Sequence, residues 1–169
     1  MNVAPPPTVS LRDLLRRHGV TNAAVADAIE RVPRVSFLPP ELVLNAQEDR
    51  TLALAPGVEF VAPTVLAYLL EALDVREGMR TLELDSGYGY GAAVLAVLGA
   101  RPVALTRDAE SGRETQRRFG RLGLSIAVVT EGIRALSALP RFERILVGTP
   151  IDVVPAGLEA RLSVGGVLV

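Results

Sequence analysis

Apolar positions change their rhythm along this chain, and the change divides it. From Ser10 to Val32, and again from Pro63 to Leu73, they recur at helical spacing. Leu11, Leu14 and Leu15 share one face of a predicted helix that Ser10 caps and that runs to about His18, where Gly19 stops it. Thr21 or Asn22 caps a second helix, Ala23 to about Val32, ended by Pro33. Residues 33–60 carry prolines and turn residues without a clear period and read as an irregular arm, with a short helical turn near Glu41–Ala46. Pro63 opens a third helix to Leu73, with Val65, Leu66, Leu69 and Leu70 inward.

After that, short apolar runs alternate with helical segments. The predicted strands are Arg80–Leu84, Pro102–Leu105, Ser125–Val129, Arg144–Val147 and Gly166–Val169. Between them fall helices at Gly91–Leu98, Ala109–Leu122, Ile133–Ser137 and Pro155–Leu162. Such alternation implies a doubly wound α/β fold: a parallel sheet covered on both faces, with ligands at the C-terminal ends of the strands. The expected strand order is 3-2-1-4-5, with right-handed crossovers. Residues 1–8 read as a flexible leader, 9–74 as an N-terminal helical segment and arm, and 75–169 as a Rossmann-like core, all within one structural domain.

Composition then removes several kinds of chemistry. The chain has 169 residues, 49% hydrophobic and 22% charged, which is globular in character. It has no Cys, one His (His18) and no Lys, since every basic residue is Arg. Thiolate metal sites, disulfides, a cysteine nucleophile, a Schiff-base lysine and a phosphate-loop lysine are therefore excluded, and a zinc site is not expected. A net charge of −1 points to no nucleic-acid partner. The apolar run from Phe60 to Leu73 is broken by Pro63 and Glu71 and is too short for a bilayer. With no basic-then-apolar leader, the expected location is the cytoplasm.

The chemistry concentrates in Thr81-Leu-Glu-Leu-Asp-Ser-Gly-Tyr-Gly-Tyr-Gly-Ala-Ala93, an apolar strand running through a glycine-rich turn into a helix. Gly87, Gly89 and Gly91 allow positive φ and close backbone approach to a ligand. Glu83, near the strand end, accepts hydrogen bonds from loop amides or from a cationic ligand. An ordinary tight turn would need the same small residues, so the spacing alone leaves binding open.

The neighbouring segments give the pattern a family. Val32-Pro-Arg-Val-Ser-Phe-Leu-Pro39 resembles the "VPRxxFVP" signature of the protein-L-isoaspartate O-methyltransferase family, and Ala46-Gln-Glu-Asp49 resembles its "AYxD". Pro63 matches the proline of its "TISQP", and Glu83–Ala93 its "LEIGTGSGYQAA" loop. Phe142–Val147 resembles "FDxIxV", and Leu162–Val169 resembles "LkxGGxLV". The resemblance implies a class I methyltransferase fold, S-adenosylmethionine as cofactor, and a peptide or protein carboxylate as methyl acceptor. It places the cofactor over Glu83, Asp85, Gly87, Gly89, Tyr90, Thr106 and Glu131. It places substrate positioning and catalysis at Arg34, Glu59 and Val61.

The chain departs from that family at chemically important positions. Val61 stands where the family has its catalytic serine and offers no hydrogen bond. Asp85 replaces the first loop glycine, Thr106 replaces the acid that holds the ribose, and Thr130-Glu-Gly132 replaces "GDG". Asp108, two residues beyond Thr106, is a partial substitute. Arg34 and Glu59, each taken alone, also read as solvated surface charges. Two functions follow: a weak or altered carboxyl methyltransferase, or an inactive relative with a structural or regulatory binding role. A nicotinamide oxidoreductase fits less well, because Thr106 occupies the ribose-acid position. The sequence ends within the fifth strand, short of the terminal antiparallel hairpin of the class. A bare apolar edge there leads to the expectation of a homodimer paired through that strand.

Overall fold

A computed structural model describes residues 10–84 and 87–169; the expected leader and Asp85 lie outside the described residues. The N-terminal segment holds α1 (Leu11–Arg17), α2 (Ala23–Arg31) and α3 (Pro63–Leu73). Side-chain oxygens cap the first two: Ser10 accepts from Asp13 N, and Asn22 accepts from Ala24 N and Val25 N. Pro63 at the start of α3 loses no helical hydrogen bond, and Asp74, at φ 46°, ends it in the left-handed region. Leu15, Ile29, Leu66 and Leu70 bury the facing sides. Each such burial contributes about 1.5–3 kcal/mol. The Glu71 carboxylate fastens α3 to the start of α2, accepting from Thr21 N, Thr21 Oγ1 and Asn22 N at 2.8, 3.0 and 2.6 Å.

The arm is more ordered than its composition suggests. It makes 3₁₀ turns at Arg34–Phe37 and Pro40–Asn45, then an antiparallel hairpin of β1 (Leu52–Ala55) and β2 (Val58–Phe60). Its strands span so few residues that no period emerges from the sequence. Pro56-Gly57 turns the chain, with Gly57 at φ 71°.

The main sheet contains β3 (Arg80–Leu84), β4 (Arg101–Leu105), β5 (Ala127–Val129), β6 (Phe142–Val147) and β7 (Leu162–Leu168). Its order is β5-β4-β3-β6-β7 and every pair is parallel. In core-strand terms this is the expected 3-2-1-4-5. Helices α4 (Tyr90–Val97) and α5 (Ala109–Arg121) join the larger core with the N-terminal helices. Alternate strand residues Leu82, Leu84, Leu105 and Ile145 form a second cluster on the opposite face.

Two helical expectations need correction. Residues 133–137 lie in a 3₁₀ segment, Gly132–Ala138. The expected helix at Pro155–Leu162 is absent: the stretch is turns closed by one 3₁₀ turn, Glu159–Arg161, and β7 begins at Leu162. Pro155 and Gly157, at φ 88°, break the helical run that the apolar residues suggest. Arg144 of β6 reaches under the end of α3, donating through Nε to Leu73 O and through Nη2 to Asp74 O. It thereby satisfies carbonyls the helix leaves unpaired.

Candidate functional site

At the C-terminal end of β3 the chain turns through Gly87–Gly89 into α4. Glu83 is 1% exposed beneath this turn. Gly89 has φ 85°, and a Cβ there would lie 2.5 Å from Phe119 Cζ and 2.8 Å from Thr115 Cγ2. Its missing side chain is therefore used by the approach of α5. Tyr88 also adopts a left-handed conformation, φ 57°, which is costly for a residue with a Cβ. The Arg118 guanidinium lies 4.9 Å from the centre of its ring.

Two spaces flank the β4 end. Glu83, Tyr88, Gly89, Thr106, Ser111 and Thr115 enclose only about 10 Å³, room for roughly one water. The Thr115 hydroxyl, buried there, has no hydrogen-bond partner. Beyond lies a cleft of about 760 Å³, walled by Leu84, Leu105 and Ile133, with Arg107, Asp108, Glu131 and Arg134 among its polar liners. Glu131 is exposed at its rim. Gly132, at φ 58°, lets the chain pass Arg107 O, which a Cβ would approach to 2.9 Å.

Thr106 Oγ1 lies within hydrogen-bond distance of Val129 O (3.2 Å) and Asp108 O (3.3 Å), so its proton is committed within the chain. Asp108 caps α5, its Oδ1 accepting from Ser111 N at 2.8 Å. That bond holds its carboxyl below the usual range.

On the arm side, the surface-charge reading of Arg34 is overturned. It is 2% exposed. Its Nε donates to Ala46 O at 2.9 Å, its Nη1 donates to Val61 O at 3.2 Å, and its guanidinium lies 4.1 Å from the Phe60 ring centre. Burial lowers its pKa, while Tyr90 and Asp49 act in the opposite sense. Tyr90 is buried too, with its ring between Phe37 and Phe60 at 5.2 and 4.9 Å. Its hydroxyl donates to Ile29 O at 3.4 Å, and burial raises its pKa. The Tyr90 side chain thus belongs to the core and not to the cleft.

Val61 is buried, and its backbone is held from three directions. Besides Arg34 on Val61 O, Thr51 Oγ1 accepts from Ala62 N at 3.3 Å, and Asp49 accepts from Thr64 N and Oγ1 at 3.0 and 2.6 Å. Glu59 is half-buried on β2, where the alternation that turns Val58 and Phe60 inward turns it the other way. It lines neither space beside β4. Gly87 starts the loop turn, and Asp85 lies outside the described residues.

Tyr88 and Arg118 were missed in the sequence. A bulky residue between two loop glycines was the available signal for Tyr88. Nothing marked Arg118, one of several arginines on α5, as buried. It donates to Ser36 O at 2.8 Å and pairs with Glu114 at 2.8 Å, joining arm, loop and helix.

The parallel sheet order and the glycine turn over a buried strand-end glutamate define a class I methyltransferase fold. The family model for protein-L-isoaspartate(D-aspartate) O-methyltransferase matches residues 8–169, and the chain belongs to that family. A Methylorubrum populi protein-L-isoaspartate O-methyltransferase is 37% identical over 160 residues, covering 94% of this chain and 76% of the relative. One from Rhodospirillum centenum is 37% identical over 164 residues, covering 95% and 74%. A solved protein-L-isoaspartate O-methyltransferase superposes with a TM-score of 0.81 at 24% identity, covering 94% of this chain and 53% of its own. A Plasmodium falciparum structure, described as a protein-L-isoaspartate O-methyltransferase in complex with S-adenosyl-L-homocysteine, gives 0.79 at 20%, covering 94% and 81%. Among the described residues, no helix is long and apolar enough to cross a membrane, and no cluster of His, Cys, Asp or Glu is suited to a metal.

Proposed function

We propose that this chain is a protein-L-isoaspartate O-methyltransferase-like protein with weak or altered carboxyl methyl transfer. One observation carries this reading: a cleft that admits a nucleoside stands open beside β4, while the adjoining space over Glu83 is closed to about 10 Å³. S-adenosylmethionine fits at its adenine end, against Leu84, Leu105 and Ile133, with Glu131 at the rim. Its ribose and methionine end falls beside Thr106 and the described part of the loop, Gly87–Gly89. There Thr106 supplies no carboxylate, and Tyr88 is packed under Arg118. The orphaned Thr115 hydroxyl and buried Glu83 are the groups a ligand would meet if Tyr88 moved. The bound cofactor would supply an electrophilic methyl group. The chain's part is to hold an acceptor carboxylate near the braced Val61–Pro63 backbone and keep water away.

A second reading, an inactive relative with a binding role, is favoured by Val61 and the Tyr88–Arg118 packing together. Calorimetric titration with S-adenosylhomocysteine and a methyl-transfer assay on an isoaspartyl peptide separate the two. Weak binding and slow transfer, both improved in Asp85→Gly and transfer further raised by Val61→Ser, support the enzyme. No binding in any variant supports the inactive relative. Thr106→Glu, which the family pattern suggests as a restoration, is expected to cost stability, because Thr106 is buried against Gly112. A cytoplasmic location and a homodimer through the β7 edge complete the proposal.

A further inference from the structure

Whole-chain charge conceals a local excess. A groove of about 1140 Å³ lies between α5 and the arm, with Tyr88, Val58 and Leu122 among its lining residues. Five of its lining residues are arginines and three are acids (Asp108, Glu110 and Glu114). Two of those acids are engaged: Asp108 caps α5, and Glu114 pairs with Arg117 and Arg118. Arg113, Arg117 and Arg121 are exposed and stand at i, i+4 and i+8, which aligns them on one helix face. Arg113 and Arg121 have no acidic partner within 4.0 Å among the described residues. The facing wall is apolar, with Val35 at 43% and Val43 at 37% exposure beside Pro39 and Pro40.

We propose that this groove docks an extended acidic peptide segment in which acidic and apolar residues alternate. The pitches agree. Four residues of helix rise about 6 Å. Two residues of extended chain rise about 6.6–6.8 Å and return to the same side. Carboxylates at every second residue therefore meet Arg113 and Arg121, with Arg117 between them shared with Glu114, at a cumulative offset of about 1.5 Å, which flexible arginine side chains absorb. The intervening apolar residues fall against Val35, Pro39 and Val43. A single-stranded nucleic acid would also supply spaced negative charge, but it needs aromatic platforms for its bases. The groove's aromatic residue, Tyr88, already lies under Arg118. The proposal does not depend on methyl transfer.

The test is fluorescence anisotropy with the whole chain and a labelled Glu-Leu-Glu-Val-Glu-Leu-Glu peptide. Controls are a peptide of the same composition with its acids in one block and a uridine oligonucleotide. The alternating peptide should bind best, and raising salt from about 0.05 to about 0.5 M should weaken it several-fold. Arg113→Glu with Arg121→Glu should weaken it about tenfold or more, from loss of attraction and added repulsion. Arg113→Gln with Arg121→Gln should fall between, which separates lost charge from misfolding when the circular dichroism is unchanged. Failure of the alternating peptide to bind, equal binding by the blocked peptide, tighter binding of the oligonucleotide, or indifference to the charge reversal would each overturn the proposal.

Discussion

Arg34 shows how a residue can be legible as a letter and illegible as an environment. Its motif was plain in the sequence, but neither the carbonyls it bonds nor the rings it stacks on are local to it. Ala46 lies 12 and Val61 27 positions away. Such partners emerge only when the arm folds back on itself. Tyr90 is a second case: it belongs to the glycine-loop motif, yet its ring fills the core between Phe37 and Phe60. Arg34→Leu should destabilise the chain by about 2–4 kcal/mol, since two buried carbonyls lose their donor. Arg34→Lys should recover less than half, because an ammonium cannot reproduce the planar fork. Urea denaturation midpoints check both. Tyr88→Gly is expected to favour ligand binding. It relieves a left-handed backbone and empties the space over Glu83, so S-adenosylhomocysteine should bind several-fold tighter by calorimetry. An unchanged affinity would place the obstruction elsewhere in the loop.

At the scale of elements, β7 is legible only at its end, since it begins at Leu162, four residues before the expected Gly166. Strands β3, β4 and β6 and helices α1, α2, α3 and α5 were readable because each carries an apolar run or period with a cap or breaker at its end. The β1–β2 hairpin was not, because its strands are too short to show alternation. The missing 155–162 helix was over-read from apolar content, despite Pro155 and Gly157. The α2–α3 junction depends on Glu71, whose two partner residues lie about 50 positions earlier. Burial pushes the Glu71 carboxyl pKa up, but hydrogen bonds from Asn22 and Thr21 outweigh it and hold the value below the ordinary one. A depressed folded pKa means that the contribution to stability is fully present above the unfolded value, about 4.3. It is lost as pH falls through the folded value. In Glu71→Gln the amide oxygen still accepts these bonds but cannot titrate. The stability difference between the native chain and this variant should therefore shrink below about pH 4, read from urea midpoints at stepped pH. A difference that grows on acidification would contradict this assignment.

For the whole molecule, the sheet has two unequal margins. The β5 edge is Ala127–Val129, whereas β7 spans Leu162–Leu168 with a break in register before Val167, where Gly165 has φ 74°. The regular end of β7, from Val167 onward, is the edge expected to self-associate. Its hydrogen-bonding sense can be read from its last residues. Val169 N donates to Ile145 O at 3.1 Å, and Val169 O accepts from Val147 N at 2.8 Å. Alternate residues on a strand face opposite neighbours, so Leu168 directs its N–H and C=O to the open side. Two such edges related by a two-fold axis can pair antiparallel and continue the sheet through both subunits. Proline at 168 removes an outward donor, whereas proline at 167 would break the ladder to β6 and test stability instead. Sedimentation velocity over micromolar concentrations should show the native chain shifting toward a dimer with concentration and Leu168→Pro remaining monomeric. A monomer throughout would mean that the edge stays unpaired, and a dimer unaffected by Leu168→Pro would move the interface to another surface.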